Sequence, residues 1–226
     1  SGGGIGAAII TLNKKNNNKL IVNDNPYLGP SFSNDEIEKI LEIANKEDMN
    51  IVRLIATHCH VDHIASANTA MEKLQLPLEI CPLGSYMLGN VGPIAAAFGY
   101  TVSEIKEGGY LNEGDIVQIG KKKFNILHCP GHSPDSLCFY NDKVLIGGDL
   151  IFKGSLGRTD LPGGKDEDLF KSFQKIMKLD DHVKICPGHD YGSRLISSIR
   201  YEKRHNSYLQ FENKQEFQLV MKTANR

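Results

Sequence analysis

Four side chains able to hold a metal ion fall within six residues of this chain: His58, His60, Asp62 and His63, in the run Thr57-His58-Cys59-His60-Val61-Asp62-His63. His58 and His60 are two apart, so on an extended segment ending in a tight loop both imidazoles can face one side. Asp62 and His63 follow at once and can turn toward a second point. Imidazole with some carboxylate suits zinc, iron or manganese, whereas carboxylates alone would suit calcium or magnesium. Three further candidates follow apolar strands with glycine beside them: His132 in Pro130-Gly131-His132, Asp149 in Gly147-Gly148-Asp149, and His189 in Pro187-Gly188-His189. In each case the backbone can bend sharply to aim one side chain inward. With the first cluster these make five imidazoles and two carboxylates, the inventory for two metals sharing a bridge.

The elements that must position these groups follow from hydrophobic pattern. Ile51 to Ala56 is a continuous apolar run, as expected of a strand buried on both faces, and the His/Asp cluster sits at its C-terminal end. Ahead of it, Ile5 to Leu12 reads as a strand with Lys19 to Val22 as its hairpin partner and a polar tip between them. Ser33-x-x-Glu36 is a capping box opening a helix through Ile37, Ile40, Leu41 and Ala44. Ala65 to Leu76 reads as a helix stopped by Pro77, and Leu78 to Cys81 as a short strand. Pro82 to Tyr100 fits either a helix pair or a lid. Short strands follow at Ile116–Ile119, Phe124–Leu127, Leu137–Tyr140 and Val144–Ile146, the last two forming a hairpin at Asn141-Asp142. Asp166 to Leu179 is an amphipathic helix, Val183 to Cys186 a strand, and Ser193 to about Glu202 a final helix. Two similar passes of strands, each needing a helical cover, favour two packed sheets with helices outside. No linker interrupts the chain, so residues 1–226 read as one α/β domain.

Composition narrows the function. The chain has 226 residues, 40% of them hydrophobic, and a formal net charge of −1. That balance carries neither a nucleic-acid footprint nor a membrane span, so neither partner is expected. The N-terminus, Ser1-Gly2-Gly3-Gly4, lacks a basic stretch followed by an apolar one, so no secretory signal is expected. The five cysteines (Cys59, Cys81, Cys129, Cys138 and Cys186) include no C-x-x-C pair, which argues against a zinc knuckle or a disulfide framework and for a reducing cytoplasmic setting.

The seven candidate ligands also carry a resemblance. His58 to His63 matches H-x-H-x-D-H, the signature of the metallo-β-lactamase superfamily, and His132, Asp149 and His189 match its later ligands. Leu127 to Pro134, Gly148 to Gly154, Gly157 to Gly164, and Gly188 to Asn206 resemble the glyoxalase II-like (hydroxyacylglutathione hydrolase-like) branch. This likeness implies an αββα sandwich, with two mixed β-sheets packed together and helices on the outer faces. It implies two divalent metal ions, zinc first and iron or manganese as alternatives. His58, His60 and His132 would hold one, Asp62, His63 and His189 the other, with Asp149 bridging. His128, His182 and His205 then fall outside the set. Arg158 takes the family's place for gripping a carboxylate-bearing substrate, and Tyr191 is a candidate cover for the pocket. Asp135 stands where the family usually has glycine, which suggests a left-handed backbone there that Asp tolerates. The chain ends soon after Asn206, so the separate helical domain of full-length glyoxalase II enzymes is not expected.

The implied reaction is hydrolysis of a glutathione-type thioester by water deprotonated between two cations. Asp62 would orient that nucleophile and Asp149 would hold the two metals together. The rival, from a different reaction class, is an iron-dependent persulfide dioxygenase of the same fold, which shares T-H-C-H-x-D-H and G-R-T-D segments. Gly188 and Ser136 favour the hydrolase, since the dioxygenases usually read P-A-H and Cys at those places.

Overall fold

The computed structural model describes residues 8–14, 34–97, 99, 101–189, 196–211 and 213–224. Two principal sheets organise them. The first contains β1 (Ala8–Lys14), β2 (Met49–Ala56), β3 (Leu78–Ile80) and β4 (Glu107–Tyr110), in that spatial order. The second has the order β12-β11-β8-β7-β6-β5, built from β5 (Ile116–Ile119), β6 (Lys122–His128), β7 (Leu137–Tyr140), β8 (Val144–Gly148), β11 (Lys184–Pro187) and β12 (Ser197–Ser198). A small antiparallel pair, β9 (Ile151–Phe152) and β10 (Ser155–Leu156), follows β8. Both principal sheets are mixed: β1 joins β2 antiparallel while β2-β3-β4 run parallel, and β11 joins β8 parallel in an otherwise antiparallel sheet.

The alternation of side chains along each strand builds three apolar layers. Between the sheets lie Ile55, Val117, Phe124, Ile126, Leu137, Phe139 and Ile146. Neighbouring residues point the other way. Leu54, Leu78 and Ile80 meet Ile37 of α1 (Asn34–Lys46), Ala67 and Ala70 of α3 (Ala67–Leu74), and Met87, Leu88 and Val91 of α4 (Gly84–Ala97). On the far side Leu145 and Ile185 meet Leu169, Phe170 and Phe173 of α5 (Asp166–Ile176), Ile199 of α6 (Ile199–His205), and Phe217 and Met221 of α7 (Lys214–Ala224). The result is the αββα sandwich. Among the described residues no helix is long and apolar enough to cross a membrane.

Several sequence expectations change in detail. β1 pairs with β2, and Asn13 and Lys14, read as loop, extend it; Lys19–Val22 and Ser33 lie outside the described residues. The helix expected over Ala65–Leu76 is preceded by a one-turn helix, α2 (Val61–Ile64), because the ligand segment coils as soon as it leaves β2. Among the described residues of Pro82–Tyr100 there is one helix, α4, with Pro93 inside it. The last predicted helix starts at Ile199 rather than Ser193, with Ser197–Ser198 extended as β12 and residues 193–195 outside the description. The Asn141-Asp142 hairpin is present, and Asn141 Oδ1 accepts the backbone N–H groups of Lys143 and Val144. β4 and α7 have no counterpart in the sequence reading.

α7 is secured chiefly by Phe217, which is fully buried with its ring 5.3 Å from that of Phe170 and 5.0 Å from that of Phe173. Phe217→Ala should therefore cost about 3–5 kcal/mol, the usual range for emptying a buried aromatic site. Urea unfolding checks this, and a loss below about 1 kcal/mol would show that α7 is not integral to the core.

Candidate metal centre

The site lies at the end of β2 and β8, where both sheets release their loops. His58 leaves β2 one residue after Thr57, and its Nδ1 lies 3.2 Å from Thr57 Oγ1. His60 occupies the N-cap of α2 in extended conformation, and Asp62 and His63 ride on that helix. His132 follows β6, Asp149 follows β8 and His189 follows β11. Residues scattered from 58 to 189 thus converge. Three sets of donor atoms lie within 4.8 Å of one another: His58, His60 and His132; His58, His63 and Asp149; Asp62, His63 and His189.

Asp149 sits between the first and last of these. Its Oδ2 is 3.0 Å from His189 Nε2 and 3.6 Å from His132 Nε2, and its Oδ1 is 3.4 Å from His63 Nε2. Asp62 Oδ2 is 3.4 Å from His189 Nε2 and 3.7 Å from His63 Nε2. The two carboxylates differ in setting: Asp149 is buried, whereas the side chain of Asp62 keeps 32% of its surface exposed. His132 is oriented from behind, its Nδ1 2.8 Å from the carbonyl oxygen of Arg158, which leaves Nε2 facing the cluster.

The donor chemistry fits cations. His58 Nε2 and His60 Nε2 are buried and have no hydrogen-bond partner, an arrangement costly for polar nitrogens unless something else fills the place. Burial and the neighbouring imidazoles push His58 and His132 below the usual histidine value and His60 to about 3. These rings therefore stay neutral and keep a lone pair. The other half pairs charges. Burial opposes ionisation of Asp149, but His63 and His189 outweigh it and hold its carboxyl well below the ordinary range. Asp62 falls to about 2, against burial, mainly through His63. Conversely, hydrogen bonds to Asp149 and Asp62 outweigh burial and lift His189 to about 10.

The remaining sequence candidates fall as follows. His128, His182 and His205 each lie against a backbone carbonyl (of Pro134, Asp142 and Tyr201) and join none of the three donor sets. Arg158 is more than half exposed and makes a two-pronged pair with Asp160, both contacts 2.6 Å. Tyr191 lies outside the described residues. Asp135 does not have the left-handed backbone expected of it, since among the described non-glycine residues only Asp48 and Gln75 have positive φ. It is instead fully buried beside the ligand loop. Sequence reasoning missed the Arg158 carbonyl, because a backbone contact leaves no trace in residue type.

A two-sheet sandwich with His/Asp donors gathered at its strand ends defines a metallo-hydrolase fold. The sequence model of the metallo-beta-lactamase superfamily matches residues 28–189, and the chain belongs to that superfamily. It is 32% identical over 182 residues to the hydroxyacylglutathione hydrolase GloC of Haemophilus influenzae, a match spanning 77% of this chain and 83% of that protein. Among solved structures it is similar to TTHA1623 in a di-iron-bound form, with 31% identity, a TM-score of 0.68, and 77% and 86% of the two chains covered. It is also similar to ETHE1 from Myxococcus xanthus, with 26% identity, a TM-score of 0.70, and 85% and 77% covered.

Gly188 is fitted to the second half of the centre. A Cβ built there would stand 2.3 Å from Asp149 Oδ1 and 3.2 Å from His63 Cε1. Gly188→Ala must therefore displace Asp149, and it crowds His63 as well. Protein saturated with cobalt should hold less metal per chain than wild type, as expected when the support of a ligand set is disturbed. Metal analysis after gel filtration checks this; unchanged stoichiometry would show that Asp149 has room to move.

Proposed function

We propose that the chain is a metal-dependent thioester hydrolase acting on glutathione-type thioesters, with two divalent metal ions, zinc foremost. What carries the reading is Asp149 standing between a three-imidazole set and an Asp-His-His set, in a chain related along most of its length to a hydroxyacylglutathione hydrolase. In this reading His58, His60 and His132 hold one cation, Asp62, His63 and His189 hold the other, and Asp149 lies between them. Such ions, when bound, supply Lewis acidity and lower the pKa of water toward ~7.

The protein's own groups do the rest. Asp62, the more exposed carboxylate, orients the attacking water. Asp149 is buried and serves position. Arg158 grips a substrate carboxylate by exchanging Asp160 for it, since both partners reach solvent and such pairs are weakly held in water. Tyr191 is the proposed cover of the pocket. The five cysteines are all free and buried, which supports a reducing, cytoplasmic setting. The expected partner is a small-molecule thioester, with no nucleic acid or membrane.

Arg158→Ala should raise KM for glutathione thioesters several-fold more than it changes kcat, because the contact is remote from the reacting carbon. An acyl thioester lacking a carboxylate should respond less. Equal responses from both substrates would make Arg158 merely a surface partner of Asp160.

The second reading, an iron-dependent persulfide dioxygenase, is favoured by the Thr57–His63 and Gly157–Asp160 segments and by the likeness to ETHE1. The two reactions separate by redox need. Hydrolysis needs no change of oxidation state, so zinc-loaded protein should cleave lactoylglutathione without oxygen. Iron-loaded protein given glutathione persulfide in an oxygen electrode should consume little oxygen. Rapid oxygen uptake with a silent thioester assay would overturn the hydrolase reading.

A further inference from the structure

The turn that carries His58 and His60 is held from the opposite sheet. Asp135, fully buried, accepts the backbone N–H of Cys59 on Oδ2 at 2.7 Å, across 76 positions of sequence. Two residues further on, the N–H of Leu137 donates to the carbonyl of Thr57 at 2.8 Å. The two bonds therefore straddle His58. Asp135 is also three residues beyond His132, in the loop whose backbone closes through Gly131 N–H to Ser133 O and Cys129 N–H to Ser136 O. One side chain thus ties together both segments that supply the three-imidazole set, whose ring centroids lie 4.6 to 5.0 Å apart.

The surroundings are fitted to that contact. A Cβ at Gly84, the first residue of α4, would stand 2.8 Å from Cys59 Sγ and 3.1 Å from Asp135 Oδ2. Burial and the Asp135 carboxylate, with which the thiol also makes a hydrogen bond, push Cys59 up, so it stays neutral. Asp135 Oδ1 has no hydrogen-bond partner. Burying a carboxylate with one oxygen unserved is costly. A turn that needs no positive φ would be served by many residues, so the turn does not explain an aspartate there.

We propose that Asp135 is a positioning residue for the metal centre: it locks the Cys59 N–H, and with it the turn from His58 to His60, in register with His132. The inference rests on the metal-centre part of the functional reading and is independent of thioester chemistry.

The test compares full-length wild type with Asp135→Gly, Asp135→Asn and Cys59→Ala. Cobalt affinity is measured by chelator competition, and exchange of the Cys59 amide hydrogen in metal-free protein. Asp135→Gly should weaken cobalt binding about 10–100-fold, the usual effect of removing a group that holds a ligand in place, and speed exchange of the Cys59 amide. Asp135→Asn keeps an acceptor oxygen and should stay within about fivefold of wild type. Cys59→Ala keeps the backbone N–H and should stay within about twofold. The proposal is overturned if Asp135→Gly binds cobalt and protects the Cys59 amide as wild type does. It is equally overturned if Asn loses as much as Gly, because charge rather than the hydrogen bond would then be responsible. Should wild type itself bind no cobalt, the metal-centre reading fails, and the exchange measurement alone decides the role of Asp135.

Discussion

Gathering seven polar donors in a place largely closed to water is the constraint on which the rest of this structure depends. Imidazoles and carboxylates lose solvation on burial, and each unserved nitrogen or oxygen costs free energy. The sandwich meets the constraint by bringing the donors in on strand ends. Each strand is fixed by its ladder and by an apolar layer on either face, so the loops beyond it need little freedom to place a side chain. Ile55 lies in the layer between the sheets, Leu54 and Ala56 under the helices, and His58 stands two residues beyond. On the other sheet Leu145 and Ile146 divide in the same way, and Asp149 stands three residues beyond Ile146. Packing of ordinary hydrophobic residues therefore sets the geometry of the centre.

The clustering of the seven side chains was legible in the sequence because the first four lie within six residues and the others follow Gly-flanked strands. The strand-helix order and the hairpin at Asn141 were legible for the same reason: the signals are local. What failed was tertiary. β4 is Glu107-Gly108-Gly109-Tyr110, with no apolar alternation, yet it pairs with β3 because a bare Gly108 lets the strand lie against Pro77, 2.2 Å from where a Cβ would stand. α7 was missed because it places few side chains, Phe217 and Met221 among them, in the core, while Leu219 faces solvent. Asp135 was read as a turn residue because its partner, the Cys59 N–H, lies 76 positions away. No spacing rule reaches that far.

The two halves of the centre solve the burial problem differently. In the half built from Asp62, His63 and His189, carboxylates answer imidazoles, and raised histidine and lowered aspartate pKa values follow from the same contacts. That half can carry protons where a cation would otherwise sit. The half built from His58, His60 and His132 has no such answer. Its rings are neutral, and two of their nitrogens lack hydrogen-bond partners. A cation would satisfy those nitrogens directly, whereas in the other half it would first displace the protons carried by His63 and His189. The imidazole half joins its two segments directly at His60 Nδ1 and His132 Nε2, 2.8 Å apart, and places His58 against Thr57 Oγ1. It is also the half spanned by the Thr57–Leu137 and Cys59–Asp135 bonds between the sheets. Scaffold and chemistry agree at that point: these cross-sheet ties lie beside the donors that stay neutral.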